Sequence, residues 1–271
     1  ILSNHLVESF ETDKITELAS TITIINLENG YRKTLNCDLI ILCASTISTL
    51  RILLNSESKS NSSGFKDTSG KLGKFLMDHI SICRFFTVPN TTQTKNILNS
   101  HLELSGAGSF FIPFGTNLPK PESINFLRGY GIWGAIDRLG IPRFLRKDLN
   151  SSCGFLIAHG EVLPRKENSV TLSKKKDRWG VPIPHIEFEW GENELNMAKH
   201  MENTIKESIK AADGKIKSID ELLNIPYAGF FTKKSIALSG KIPPPGYYIH
   251  EVGGAAMGNS EEESVLNKFN R

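Results

Sequence analysis

Paired cysteines are the first thing this chain lacks: its four, Cys37, Cys43, Cys83 and Cys153, stand far apart with no Cys-x-x-Cys spacing. That argues against a zinc knuckle and against a disulfide scaffold, and unpaired thiols suit a reducing, cytoplasmic setting. Charge of one sign is lacking as well. The 32 basic and 29 acidic residues leave a net charge of +3, evenly spread, so neither nucleic acid nor anionic lipid is implied as a partner. No apolar run approaches the about 20 residues a membrane helix needs, and the opening ILSNHLVESF lacks the basic-then-apolar layout of a signal peptide. None of the 7 histidines falls in an HExxH or similar ligand spacing, so no metal site is expected.

What remains is a chain of 271 residues, 39% apolar, enough for one large domain or two ordinary ones around a sizeable core. It opens on Ile1 and closes at Arg271 just after a strand-like approach, and both ends read as cut. The first stretch carries two hairpin-like runs that turn at Asn29-Gly30. Asp38 to Ala44 then reads as the clearest strand, its continuous apolar run suited to burial on both faces of a covered sheet. Thr46 or Ser48 caps a short helix through Leu54, and the Ser/Asn/Lys-rich stretch from Asn55 to Gly64 reads as an exposed loop.

From Ile80 the pattern changes to short β runs, ICRFFTVP, GSFFIPF, CGFLIAHGEV, SVTLSK and PIPHIEFEW, which together suggest an antiparallel sheet. One long helix is expected from about Glu192 to Ala212. Met197, Met201, Ile205 and Ile209 recur every four residues along it, and Gly214 stops it. That apolar stripe should lie on the sheet. Gly129-Tyr130-Gly131-Ile132-Trp133-Gly134 satisfies the GxGxxG pattern, with Asp148 at about the spacing of a ribose-binding acid. We reject it as a dinucleotide site, because prolines precede it and a helix-breaking Gly-Ile-Pro follows it.

The most informative segment is IHEVGGAAMGNSEEESVLNKFN, from Ile249 to Asn270. It resembles the C-terminal signature of the glucose-methanol-choline (GMC) oxidoreductases, in which a histidine, glycine, a Met-Gly pair and a Ser-Val step recur in that order. Ser62 to His79, DLIILCASTISTLRILLNS, INFLRGYGIWG, EVLPRKENSVTLSKKKDRWGVPIP and WGENE agree in sequential order, the last three more with sugar-oxidising members. The resemblance implies an α/β chain: part of a Rossmann-like FAD-binding domain at 1–79, a substrate domain with an antiparallel sheet and packed helices at 80–250, and a return to the FAD domain at 251–271. It implies FAD as cofactor, a small alcohol or sugar as substrate, and an electron acceptor as the remaining partner.

Within that resemblance His250 is the expected catalytic base, since oxidising an alcohol by hydride transfer requires removal of the hydroxyl proton and imidazole titrates near neutrality. Gly253 and Gly254 would let backbone approach the flavin ring. Ala44, Ser45, His79, Met257 and Gly258 complete the expected cofactor contacts, with a structural hydrogen-bonding role for His79 equally open. The chain departs from the family where Ala-Ala-Gly is usual and Cys43-Ala44-Ser45 stands, and where Ala256 replaces an arginine. The dinucleotide fingerprint and a second catalytic His or Asn are expected outside Ile1–Arg271, so this portion alone should bind FAD poorly and be inactive. Two other readings stay open: an inactive relative or truncated gene product, and an unrelated β-rich binding domain whose histidine is incidental.

Overall fold

The computed structural model describes residues 1–13, 15–59, 67–89, 108–113, 124–138, 143–224 and 241–271. Its strands are β1 His5–Thr12, β2 Ala19–Asn26, β3 Arg32–Asn36, β4 Ile80–Pro89, β5 Ser109–Pro113, β6 Tyr130–Ile136, β7 Ser151–Gly160, β8 Ser169–Lys176, β9 Pro182–Glu187, β10 Lys215–Lys217, β11 Met257–Gly258 and β12 Leu266–Asn267. The α-helices are α1 Thr46–Lys59, α2 Glu192–Ala211 and α3 Ile219–Leu222. These form two units, the first from Ile1–Met77, Pro164–Glu189 and His250–Arg271, the second from Asp78–Leu163 and Trp190–Ile249.

In the first unit β1, β2 and β3 make an antiparallel sheet in that order, the last two joined through the expected turn, where Gly30 takes φ 73°. Helix α1 packs Leu50 and Leu53 into a core with Phe10, Leu72, Leu76 and Val170. Two expectations fail here. Asp38 to Ala44 forms no strand. Its Ile40, Leu42 and Ala44 pack against that core, while Leu39 and Ile41 are 71% and 76% exposed. A strand buried on both faces needs neighbours on both sides, and among the described residues none pairs with it. The helix, in turn, runs past Leu54 to Lys59. Asn55 and Ser56 are buried because they bond to β1: Asn55 donates to the Glu8 carbonyl at 2.8 Å and the Ser56 hydroxyl accepts from Phe10 N–H at 2.9 Å. Satisfied polar groups are as acceptable in a core as apolar ones, and composition alone misses that. Residues 60–64 of the expected loop lie outside the described residues.

The hairpin of β8 and β9 belongs to the first unit, not to the middle region where the sequence placed it. Arg51 of α1 is the reason: it donates to Asp177 at 2.6 Å and to the Pro182 carbonyl at 2.9 Å. Arg32 adds a bond to the Trp179 carbonyl at 2.6 Å while pairing with the buried Glu8 at 2.9 Å. Trp179 donates its indole N–H to the Leu27 carbonyl at 3.1 Å. Ion pairs between residues over a hundred positions apart cannot be read from local pattern.

The second unit is an antiparallel five-stranded sheet in the order β10-β4-β7-β6-β5, as the short β runs suggest. Helix α2 has the expected bounds and buries Met197, Met201, Ile205 and Ile209 completely or nearly so. Its first turn is held by the buried Glu194, whose carboxylate accepts from Gly191 N–H at 2.9 Å and Leu163 N–H at 3.0 Å. Gly160 on β7 makes room for the helix: a Cβ there would lie 2.3 Å from Met197 Sδ and 2.4 Å from Met201 Cε. Gly129 to Gly134 runs into the sheet as β6, not as a strand–turn–helix, so the glycine pattern is no phosphate loop.

Candidate active site

The residues expected to carry chemistry fall in both units. In the first, the His250 segment is pinned by main-chain bonds. Met77 and Val252 exchange N–H···O bonds at 2.8 and 2.9 Å, Gly73 N–H reaches the Gly254 carbonyl at 2.7 Å, and Gly254 N–H reaches the Lys74 carbonyl at 3.1 Å. The Thr46 hydroxyl, at the start of α1, donates to the Glu251 carbonyl at 2.6 Å. His250 itself is exposed, in irregular backbone beside this clamp, and Ile249 before it holds φ 57°. A β-branched residue in that region is strained by its own Cβ, so the approach to His250 is a conformation the surrounding structure imposes.

The two glycines after it answer to internal packing. Gly253 has φ 89°, and a Cβ there would sit 2.2 Å from the Phe75 carbonyl oxygen; at Gly254, φ 74°, it would meet Leu50 Cδ1 at 2.3 Å. Gly258 accommodates the buried Ser264 hydroxyl, 2.2 Å from where its Cβ would be. That hydroxyl donates to the Leu266 carbonyl at 2.7 Å, beside the parallel pairing of β11 with β12. The Met-Gly and Ser-Val steps are therefore two halves of one packing contact. Met257 faces outward and is 60% exposed. Ala44 is half-buried against the core, and Ser45, standing where the family has glycine, keeps a glycine-like backbone at φ 59°.

His79 lies in the second unit, where it takes a hydrogen-bonding role. A carbonyl only accepts, so its Nδ1 donates to Gly160 O at 3.3 Å. Asp78 beside it is buried and accepts from Tyr248 N–H at 3.2 Å. The His79 ring meets those of Tyr248 and His159 edge-on, at 5.6 and 6.0 Å. His159, which no motif singles out, centres this cluster: its Nε2 receives the Trp133 indole N–H and lies 2.9 Å from the Tyr248 hydroxyl. An indole nitrogen can only donate, so Nε2 must be the acceptor and the imidazole is neutral, with its proton on Nδ1. Sheet register brings the pair together, since Gly131 opposes His159 and Trp133 opposes Ile157; Trp133 and His159 are diagonal neighbours on one face. Had Tyr130 to Ile136 been read as a strand, that diagonal would have been the signal.

A cleft of about 200 Å³ opens beside this cluster, lined by His79, Phe111, Pro113, Tyr130, His159 and Glu161 with glycine backbone between them. On the same side of the sheet Cys83 is no candidate nucleophile, because burial pushes its thiol up to about 11. Among the described residues no group of His, Cys, Asp or Glu could hold a metal ion, and no helix is long and apolar enough to cross a membrane.

Comparison with known proteins bears on parts of both units: residues 164–271, which include α2 and the His250 segment, match the GMC oxidoreductase family. Over that region the chain is similar to the GMC oxidoreductases. It is 28% identical over 93% of its length to 2-methyl-1,2-propanediol dehydrogenase of Mycolicibacterium austroafricanum, covering 44% of that protein. It is 25% identical over its whole length to the fructose dehydrogenase large subunit of Gluconobacter japonicus, covering 46% of it. The chain thus spans about half the length of these relatives. Its fold is similar to that of Aspergillus oryzae formate oxidase, a protein studied for modification of its FAD. The TM-score is 0.54 at 13% identity, over 97% of this chain and 52% of that one. A second formate oxidase structure matches with a TM-score of 0.52 at 12% identity.

Proposed function

We propose that the protein carrying this chain oxidises the CH–OH group of a small alcohol or sugar with FAD as the acceptor, and that His250 is its base. The family match over residues 164–271 supports this reading, because it includes His250 and the glycine pair that follows it. The relatives named for a diol and for fructose support an alcohol or sugar substrate.

The first unit offers FAD a surface more than a cradle. Gly253, Gly254 and Gly258 have their Cβ space taken from within, whereas Val252 and Met257 are 53% and 60% exposed beside the exposed His250. Those apolar side chains, with Ser45 at the head of α1, fit a flat, partly apolar ring system, and they are the residues that would hold it. When bound, FAD supplies the acceptor for the hydride that leaves the carbinol carbon. The imidazole of His250 takes the hydroxyl proton, and the electron pair left on oxygen becomes the second bond of the product carbonyl. The clamp at Met77 and Val252 holds the backbone beside His250 so that its ring meets the hydroxyl without reorganisation. The electron acceptor that reoxidises the system is a separate partner.

In the full-length protein, His250→Ala should slow anaerobic bleaching of the flavin by substrate by about 10²-fold to 10⁴-fold, the usual contribution of a general base, while flavin content and thermal stability hold. A histidine that only supports the fold would behave in reverse, losing stability and flavin together. Unchanged bleaching in flavin-loaded His250→Ala protein would falsify the assignment.

A further inference from the structure

We propose that Thr46 is a positioning residue for His250, its hydroxyl orienting the base through the carbonyl of Glu251. The inference rests on the reading of His250 above and extends it to a side chain on α1, with every residue it uses, apart from Ile249, inside the first unit.

The helix makes no use of this hydroxyl. At the head of α1 the Thr49 N–H reaches the Ser45 carbonyl at 2.9 Å, which makes Ser45 the capping position and Thr46 the first residue inside. The preference for a hydroxyl at a helix start belongs to the cap, and a β-branched residue one place later is a middling helix former. The Thr46 proton goes instead to the Glu251 carbonyl at 2.6 Å, 205 positions further along the chain. That bond is part-buried, where a hydrogen bond is stronger than in open solvent.

What the bond fixes is a peptide plane. The amide between Glu251 and Val252 is tied at its oxygen by Thr46 and at its nitrogen by the Met77 carbonyl, which the Val252 N–H reaches at 2.9 Å. A plane held at both ends cannot swing about its flanking bonds, whereas one held at the nitrogen alone can. The pairing of Met77 with Val252 is an isolated bridge, so no ladder restrains the carbonyl once the hydroxyl is removed. Immediately before His250 stands Ile249 at φ 57°, a conformation that a β-branched residue abandons when its surroundings allow. The cost of that conformation and the worth of one hydrogen bond are of the same order. Loss of the Thr46 tie is therefore enough to let the turn relax and carry the imidazole out of the orientation that proton abstraction requires.

Two measurements on the full-length protein test this: anaerobic stopped-flow reduction of its flavin by 2-methyl-1,2-propanediol or D-fructose, and amide exchange at Val252 in the resting protein, where no turnover enters. Thr46→Val keeps the shape and removes the donor. Its limiting reduction rate should fall about five-fold, the worth of one hydrogen bond, with exchange at Val252 quickened by about as much. The half-saturating concentration should stay within about two-fold, because no substrate contact is lost. Thr46→Ser keeps the donor and should return both readings to within about two-fold of the unsubstituted protein. Because Thr46 acts through the imidazole, Thr46→Val should slow a His250→Ala protein no further, whereas independent effects would add. Should Thr46→Val misfold by far-ultraviolet circular dichroism, Thr46→Ala serves in its place with the same expectations. A merely structural Thr46 would lower melting temperature and flavin content together and leave the rate per bound flavin unchanged. That unchanged rate, no rescue by serine, an undiminished effect in the His250→Ala protein, or unchanged exchange at Val252 overturns the proposal, the last whatever the reductant. Bleaching of His250→Ala protein at the unsubstituted rate would sink the assignment of the base and this inference with it; a slowed His250→Ala protein beside a normal Thr46→Val protein sinks this inference alone.

Discussion

The two faces of the five-stranded sheet are built on different chemistry. Toward α2 it presents Ile82, Leu156, Ala158 and Ile132, all buried, and the helix answers with a fully buried stripe of Met197, Met201 and Ile205. Even the polar groups on that side are paired to the helix: Arg84 with Glu202, and the Tyr130 hydroxyl with His200 and Thr204, each at 2.7 Å. The opposite face carries Trp133, Phe155 and His159, with Tyr248 packed against His159 at 4.3 Å between ring centroids. One face is closed by volume and the other is arranged by hydrogen bonds. The difference separates stability from recognition within a single sheet, because apolar burial is non-directional while donors and acceptors fix orientation.

The largest effect that would sharpen this comparison is Ile205→Ala. It removes a fully buried side chain from the helix face and should cost about 2–5 kcal/mol, read as a lowered urea midpoint for the second unit. Ile157→Ala on the other face removes a half-buried side chain and should cost roughly half as much or less. Equal losses would show that the two faces contribute alike.

A smaller effect is expected at the start of α1, where Ser45 and Gly253 occupy backbone of the same left-handed type. Relieving Ser45 of its Cβ by Ser45→Gly should stabilise the first unit by about 1 kcal/mol, less the few tenths a serine cap contributes. Gly253→Ala should destabilise it, since the new Cβ has the Phe75 carbonyl oxygen at 2.2 Å. A melting temperature that falls for Ser45→Gly would mean the serine side chain has become integral to the turn.

The smallest is an acid response at Asp177. Burial works against its charge, but the Arg51 guanidinium and the N–H groups of Val181 and Trp179 outweigh it, and its carboxyl is held below the ordinary 3.8. A depressed folded value means the stabilisation is complete above pH 3.8 and is lost as the pH falls through the lowered value. The β8–β9 hairpin should therefore loosen from α1 below that pH, seen as faster amide exchange at Trp179 and Val181, and Asp177→Asn should abolish the pH dependence. Exchange that stays pH-independent in the unsubstituted protein would assign the docking to Arg32 and Trp179 instead.

Local pattern was enough for α2, because a four-residue spacing of apolar side chains has one low-energy solution when a sheet lies beside it. It was enough also for the β2–β3 hairpin and for the signature segment from Ile249 to Asn270, which lies within the matched residues 164–271. It was not enough at Asp38 to Ala44, where a run of apolar residues states that burial is wanted but not how many faces will find partners. Nor was it enough at Asn55 and Ser56, whose polar side chains are buried because β1 supplies their bonds.

The sequence by itself determined the likeness of residues 164–271 to the GMC oxidoreductases, where the long helix lies, and that His250 stands before a glycine pair. Only the tertiary structure decided that those glycines yield to Phe75 and Leu50, that the β8–β9 hairpin joins the first unit, and that Trp133, His159 and Tyr248 form one cluster. The physical reason is range: periodicity and motif order act through neighbours along the chain. A carbonyl oxygen 2.2 Å from an absent Cβ, or an indole N–H that selects a tautomer, depends on partners that only sheet register and packing bring together.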